Sequence, residues 1–282
     1  MGGNVICLYE RYERRRDVMK KTELNRFLPY EADYSLLSKC RIWETRGLWL
    51  IGIFSVVLPV VGSFLASTLV NTIYNILNLL YFLIIIAYYV LDVYTETFLY
   101  PATARKRRKG FIDNSLGSKF LEKKVEGYYT NDNLNYGPYK MLINCSENCF
   151  FTLNIAKGMV PRIVIKNAFF SIGFLVIAYC GIKDNLVAIP ILQILLSTLF
   201  ITELIHHLNF IAKLEQLFER FKETFTKKMD VNQTLQEAVL LFLDYETTLA
   251  YNKAPLSDSV YEKLKEKLSK EWEEIKTRYE IS

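Results

Sequence analysis

The residues of this chain that could do chemistry are few and scattered. Its two histidines, His206 and His207, stand side by side, which leaves little for acid–base catalysis by histidine. Asp113 and Asp132 are carboxylates whose spacing does not mark them as a catalytic pair. No GxxxxGK[ST] loop, GxSxG elbow, HExxH or GxGxxG occurs. We therefore expect no enzymatic activity and no cofactor. Cys145 and Cys149 are four residues apart and would share one face of a helix. A metal site needs further ligands, and the histidines are distant in sequence, so no metal is expected. With Cys7, Cys40 and Cys180 the cysteines form an odd, scattered set, which fits a reducing compartment.

Binding chemistry is better represented. Arg105, Lys106, Arg107, Arg108 and Lys109 form a basic run. Of these, Arg105, Arg107, Arg108 and Lys109 are candidates for holding an anion by charge-assisted hydrogen bonds. The plainer reading is a topology signal attracted to anionic lipid. The stretch from Tyr128 to Tyr139 is rich in amides and aromatics, and Lys140 follows it. Tyr128, Tyr129 and Tyr136 offer faces on which a base would stack, or else they pack an ordered loop. A second group falls in or beside apolar sequence. Asn75, Asn78 and Gln193 lie deep in it, and Asp92 and Glu203 at its ends. Amides at such depth bond between helices or line a pore. Carboxylates at the edge are solvated there or guard a water path.

The elements that position these residues follow from the charge pattern. From Gly47 to Leu91 no residue is charged. A single helix over that stretch would be about 68 Å long, against about 30 Å of hydrocarbon. It must fold back, and polar residues collect near 67–72. The spans read about Leu48 to Ala66 and Ile73 to Tyr94. A second hairpin runs from Ala168 to Ile182 and from Leu186 to Thr202, with Lys183-Asp184-Asn185 as its turn.

Orientation follows from the basic residues near the span ends. Lys39, Arg41 and Arg46, the run 105–109, Lys157, Arg162 and Lys166, and Lys213, Arg220 and Lys222 make fourteen on one side, against Lys183 alone on the other. Both termini and the central insert are expected in the cytoplasm. No cleavable signal peptide is expected, because the first 46 residues are charged and polar. The net charge of +5 is mild and does not call for DNA as a partner.

The expected organisation is an all-α membrane protein with four transmembrane helices in two hairpins. An N-terminal helical segment (1–46) precedes hairpin 1 (47–96), a cytoplasmic insert (97–166), hairpin 2 (167–204) and a helical tail (205–282). The insert is too long for a plain linker. Leu208, Ile211, Leu214, Leu217, Phe218, Phe221 and Phe225 form a helical stripe continuing out of the fourth span. A helix at about 233–252 follows. A last helix is capped by Ser257 or Asp258, with Val260, Leu264, Leu268, Trp272, Ile275 and Tyr279 on one face. The lipid bilayer is the first partner.

The order of these parts is similar to that of the four-transmembrane, pore-forming effectors encoded beside cyclic-oligonucleotide synthases in bacterial anti-phage operons. The residues that carry the resemblance are Arg108-Lys109-Gly110-Phe111-Ile112-Asp113-Asn114-Ser115-Leu116-Gly117, Glu126-Gly127-Tyr128-Tyr129-Thr130-Asn131-Asp132, and the tail from Leu256-Ser257-Asp258 to Glu271-Trp272-Glu273-Glu274-Ile275-Lys276. The resemblance implies a multi-pass protein of the bacterial inner membrane that senses a cyclic nucleotide or oligonucleotide. It implies homo-oligomerisation and disruption of the membrane, which arrests or kills the infected cell. No ligand-contacting residue is carried over from the family. A constitutive channel or transporter, and a membrane scaffold that docks a partner protein through its tail, are the other readings.

Overall fold

The computed structural model describes residues 27–63, 68–123, 125, 127–181, 202–252 and 257–281. Among these residues the regular structure is helical and no sheet forms. The chain divides into two compact units, residues 1–130 and 131–282. The insert expected at 97–166 is thus split. Its first part belongs with hairpin 1 and its second with the tail.

The first unit is an antiparallel helix pair. Helix α1 runs Glu31–Ser63 and helix α2 Thr68–Tyr94. A π-helical turn, Thr95–Leu99, joins α2 without interruption to α3, Tyr100–Leu116. The continuous helix over 72–116 is long and apolar enough to cross a membrane, and its most apolar window has no buried residue. The register of the pair can be read along its length. Asp33 meets Lys106, Arg41 meets Glu96, Gly47 meets Tyr88, and Phe54 stacks on Tyr81. The half-buried positions of α2, Tyr74, Asn78, Tyr81, Ile85, Tyr88 and Asp92, recur at helical spacing and form the face toward α1. The other side exposes Ile76, Leu79, Leu83, Ile86 and Val90. Such a surface is stable in hydrocarbon and costly in water.

Helix α1 begins at Glu31, well before the expected span. Its polar start, 31–46, is an amphipathic turn series whose Leu37 and Cys40 pack on Leu99. Charge had masked this periodicity in the sequence.

The second unit is a four-helix body of alternating direction. Helix α4 runs Pro138–Gly181, α5 Thr202–Thr226, α6 Val231–Asn252 and α7 Asp258–Arg278. Phe150 of α4 meets Phe218 of α5 and Trp272 of α7, and Thr152 meets Tyr245 of α6. Gly158 lets α7 come close, since a Cβ there would lie 2.8 Å from Val260 and 3.1 Å from Leu264. The His207 Nε2–H donates to the Ala156 carbonyl at 2.8 Å, so this histidine is a satisfied core residue. Asp230 and Gln233 close a reciprocal capping box at the start of α6. Ser257 stands at the N-cap position of α7, as the sequence suggests.

Helix α4 is 44 residues long, about 66 Å at 1.5 Å per residue. Its first half is the buried axis of the body. Its second half carries exposed Val164, Ile165 and Ile172 and runs into the apolar stretch expected to be the third span. The fourth span, expected at Leu186 to Thr202, lies almost wholly outside the described residues, at 182–201.

Trp272 is fully buried against Phe150. Trp272→Ala should cost about 3–5 kcal/mol and lower the thermal midpoint of the purified protein by several degrees, read by circular dichroism. An unchanged midpoint would show that α7 is not integral to the body.

Candidate functional site

Helix α3 carries the basic run in the first unit. Arg105 and Lys109 are exposed one turn apart, Arg107 and Arg108 are half-buried, and the Lys106 ammonium bonds both Asp33 oxygens at 2.9 and 2.7 Å. The inner side of α3 is close-packed. A Cβ on Gly110 would lie 2.8 Å from the Tyr30 ring and 2.9 Å from Val125, so only glycine fits. The chain then turns sharply. Gly117 adopts φ 73° and its N–H bonds the Asp113 carbonyl. The Asp113 side chain accepts from Ser118 Oγ at 2.7 Å and from the Phe120 and Leu121 amides at 2.8 Å. This carboxylate holds the 117–121 loop against the end of the basic helix. Burial pushes its pKa up, but the two amides, the Ser118 hydroxyl and the nearby Lys109 charge outweigh that, and the net result is below the ordinary range.

The aromatic stretch separates into parts with different roles. Tyr129 is buried edge-on against Phe111, with Tyr128 edge-on against it in turn. Its face is therefore occupied by core contacts, while Tyr128 is 36% exposed. In the second unit Tyr136 is exposed, and the Lys140 ammonium lies 5.0 Å from its ring centre. Lys140 is itself buried, with Asp132 at 4.0 Å. The Asn131 amide donates to Asn144 Oδ1 at 3.0 Å and to Glu147 Oε2 at 2.7 Å. Lys140, Asn144 and Glu147 lie at i, i+4 and i+7 along α4, so they form one buried polar seam covered by residues 131 and 132. The sequence reading passed over Asn131, Asn144 and Glu147. The i, i+4, i+7 spacing was the available signal.

At the 92–96 end of the helix pair Glu96 has a partner. Arg41 bonds Glu96 at 2.6 Å and lies over Tyr100, at 5.9 Å from its ring centre. Glu44 is buried, and both it and half-buried Asp92 are within electrostatic reach of Tyr88. Thr95, in the π-turn, is fully buried. Such turns cluster at functional sites. In the sequence Arg41 stands out only as a basic residue before the span, and Glu44 is not marked at all. In the second unit Glu203 pairs with Lys166 at 2.7 Å, tying the start of α5 to α4. Asn78 donates to the Tyr74 carbonyl of its own helix, and Asn75 lies on the exposed side of α2. Gln193 is outside the described residues.

Cys145 and Cys149 are buried thiols within α4. Cys149 donates to the Leu214 carbonyl, and burial raises its pKa far above the thiolate range needed for reactivity.

No protein-family model, curated protein or solved structure matches the chain.

Because Asp113 has a depressed folded pKa, its charge stabilises the fold above the ordinary value of 3.8. That contribution disappears as pH falls through the lower, folded value. Asp113→Asn should destabilise the protein by about 1–3 kcal/mol at pH 7. The gap to the native protein should narrow in melts at pH 3. A gap that widened with acid would mean the sign is wrong.

Proposed function

We propose that this chain is a four-span protein of the bacterial inner membrane whose cytoplasmic helices control the packing of its spans. In this reading both termini are cytoplasmic, several copies associate, and an anionic nucleotide signal triggers membrane disruption. It acts, on this proposal, like the anti-phage effectors its sequence resembles. The observation that carries the reading is continuity. The apolar helix over 72–116 becomes the basic helix α3 without a break, and α4 likewise joins the core of a folded body to apolar sequence. Each is a rigid element through which a change outside the bilayer reaches the spans.

The anion site in this proposal is the basic run of α3, with Arg105 and Lys109 exposed and Arg107 and Arg108 half-buried. Arg105, Arg107, Arg108 and Lys109 supply the charge, and Tyr128 supplies an exposed ring in the same unit. Lys140 and Tyr129 are assigned to packing, since both are buried. Binding shifts the equilibrium between two span arrangements only by its difference in affinity for them.

A scaffold role is the second reading. The exposed apolar side of α6 favours it, because such a surface on a helix outside the spans calls for a partner.

Two experiments test the main reading. A cysteine at Thr130 should resist impermeant maleimide added to intact cells and react after lysis; labelling from outside would overturn the orientation. Replacing Arg107 and Arg108 by Gln should leave membrane insertion intact, because three basic residues remain in the run. It should reduce dye leakage induced by a co-expressed cyclic-oligonucleotide synthase by tenfold or more. Undiminished leakage and nucleotide binding would sink the site assignment, and no leakage from the native protein would sink the pore.

A further inference from the structure

Helix α6 has one face in the core of its unit and another that the described residues of that unit leave largely uncovered; at its end the Lys213 ammonium lies 4.7 Å from the Tyr251 ring centre. Ala238, Leu241, Phe242, Tyr245 and Thr248 are buried. Val231, Leu235, Val239, Leu240, Leu243 and Tyr251 are between 40% and 73% exposed. These six side chains present apolar surface on the order of several hundred Å², as large as the largest patch of an ordinary monomer.

The chemistry of this face limits what can cover it. Every exposed position of α6 is uncharged: the six apolar residues share the face only with Asn232, Gln233, Gln236, Thr247 and Ala250. From Val231 to Asn252 the helix contains no Lys or Arg. A helix lying on anionic lipid carries basic residues along its polar side, and nucleic acid demands them too. The acidic residues of α6 are withdrawn from the face. Glu246 is buried, Glu237 is half-buried, and Asp244 bonds Arg220 at 2.7 Å. A strongly charged protein partner would find no complement here. A second copy of the same neutral face meets no repulsion.

The spacing points the same way. Val231, Leu235, Val239 and Leu243 follow one another at four-residue intervals and form a single ridge. Two ridges of this i±4 type interlock at about −50°, and identical ridges can do so across a two-fold axis. We infer that α6 is a self-pairing helix, on which a second copy of this chain docks its own 231–243 ridge with the two Val239 residues near the axis. The inference names a surface for the self-association proposed above, but it does not require a pore.

The test uses the full chain in its native membrane. Val239→Cys should give a covalent dimer on mild oxidation, in high yield over the background of the native cysteines. Lys270→Cys, exposed on α7, should not. Adding Leu235→Glu and Leu243→Glu to the Val239→Cys chain should cut the dimer yield tenfold or more, whether the helices pair parallel or antiparallel. Co-expressing that chain with one carrying Val239→Cys, Leu235→Lys and Leu243→Lys should restore it. Equal yields at 239 and 270, or no effect of the glutamates, overturn the inference. Loss without rescue by the mixture assigns the face to a different protein or to lipid, and overturns it as well. The Val239→Cys chain changes one ridge residue to a small apolar one and leaves the other three native, so its result stands even if a charged variant fails to fold. Leakage with no dimer at 239 would sink this inference alone, and a dimer at 239 without leakage would sink only the pore.

Discussion

A peptide group beyond the reach of water must find its partner within the chain. A long apolar stretch meets that constraint as helix, as the described stretch over 72–116 does. Once a helix is nucleated, extending it costs little. The apolar helices accordingly run on past the sequence that requires them. The span of hairpin 1 continues into α3, and α4 continues from the core of the second unit. Glu31 to Arg46 is helical for the same reason, because it leads into uncharged sequence beginning at Gly47.

Where these helices leave apolar sequence, charged pairs help to fix their neighbours. Arg41 with Glu96, Asp33 with Lys106, Lys166 with Glu203 and Lys157 with Glu215 each join two antiparallel helices of one unit. Each of these pairs is partly exposed, so each contributes about 1 kcal/mol or less to stability. Their role lies in register. A slip of one turn within either unit would break the pairs seen there. Packing of Phe150, Phe218 and Trp272 supplies the larger energy in the second unit, and Gly47 and Gly158 permit the close approaches.

The sequence was most legible where one local rule sufficed. Period and cap placed the last helix, because Ser257 precedes an apolar series at helical spacing. The absence of charge from Gly47 to Leu91 showed that the chain must fold back before Asp92. Helix α3 was not legible in the same way. Its five consecutive basic residues hide the small and apolar positions, Thr103, Ala104, Gly110 and Phe111, that face inward. The division between Thr130 and Asn131 had no compositional mark. Tyr129 packs on Phe111 and Asn131 bonds Asn144 and Glu147, and contacts over such separations leave no period in a sequence. The candidate site was half legible. The basic run was plain, whereas the task of Asp113 in holding the loop beside it depends on three donors that only the folded turn brings together.

The π-turn at Thr95–Leu99 holds one residue more than regular helix would. Each residue turns an α-helix by about 100°. The extra residue is taken up in one wide turn, so the helix on either side keeps its phase. Losing one residue between 95 and 99 would turn the wide turn into regular helix, with its hydrogen bonds satisfied and the flanking faces close to their present directions. The same deletion in regular helix along 72–116 would rotate everything beyond it by about 100°. The turn is therefore a place where the length of this helix can change by one residue while the basic run keeps its direction relative to the exposed apolar side of α2.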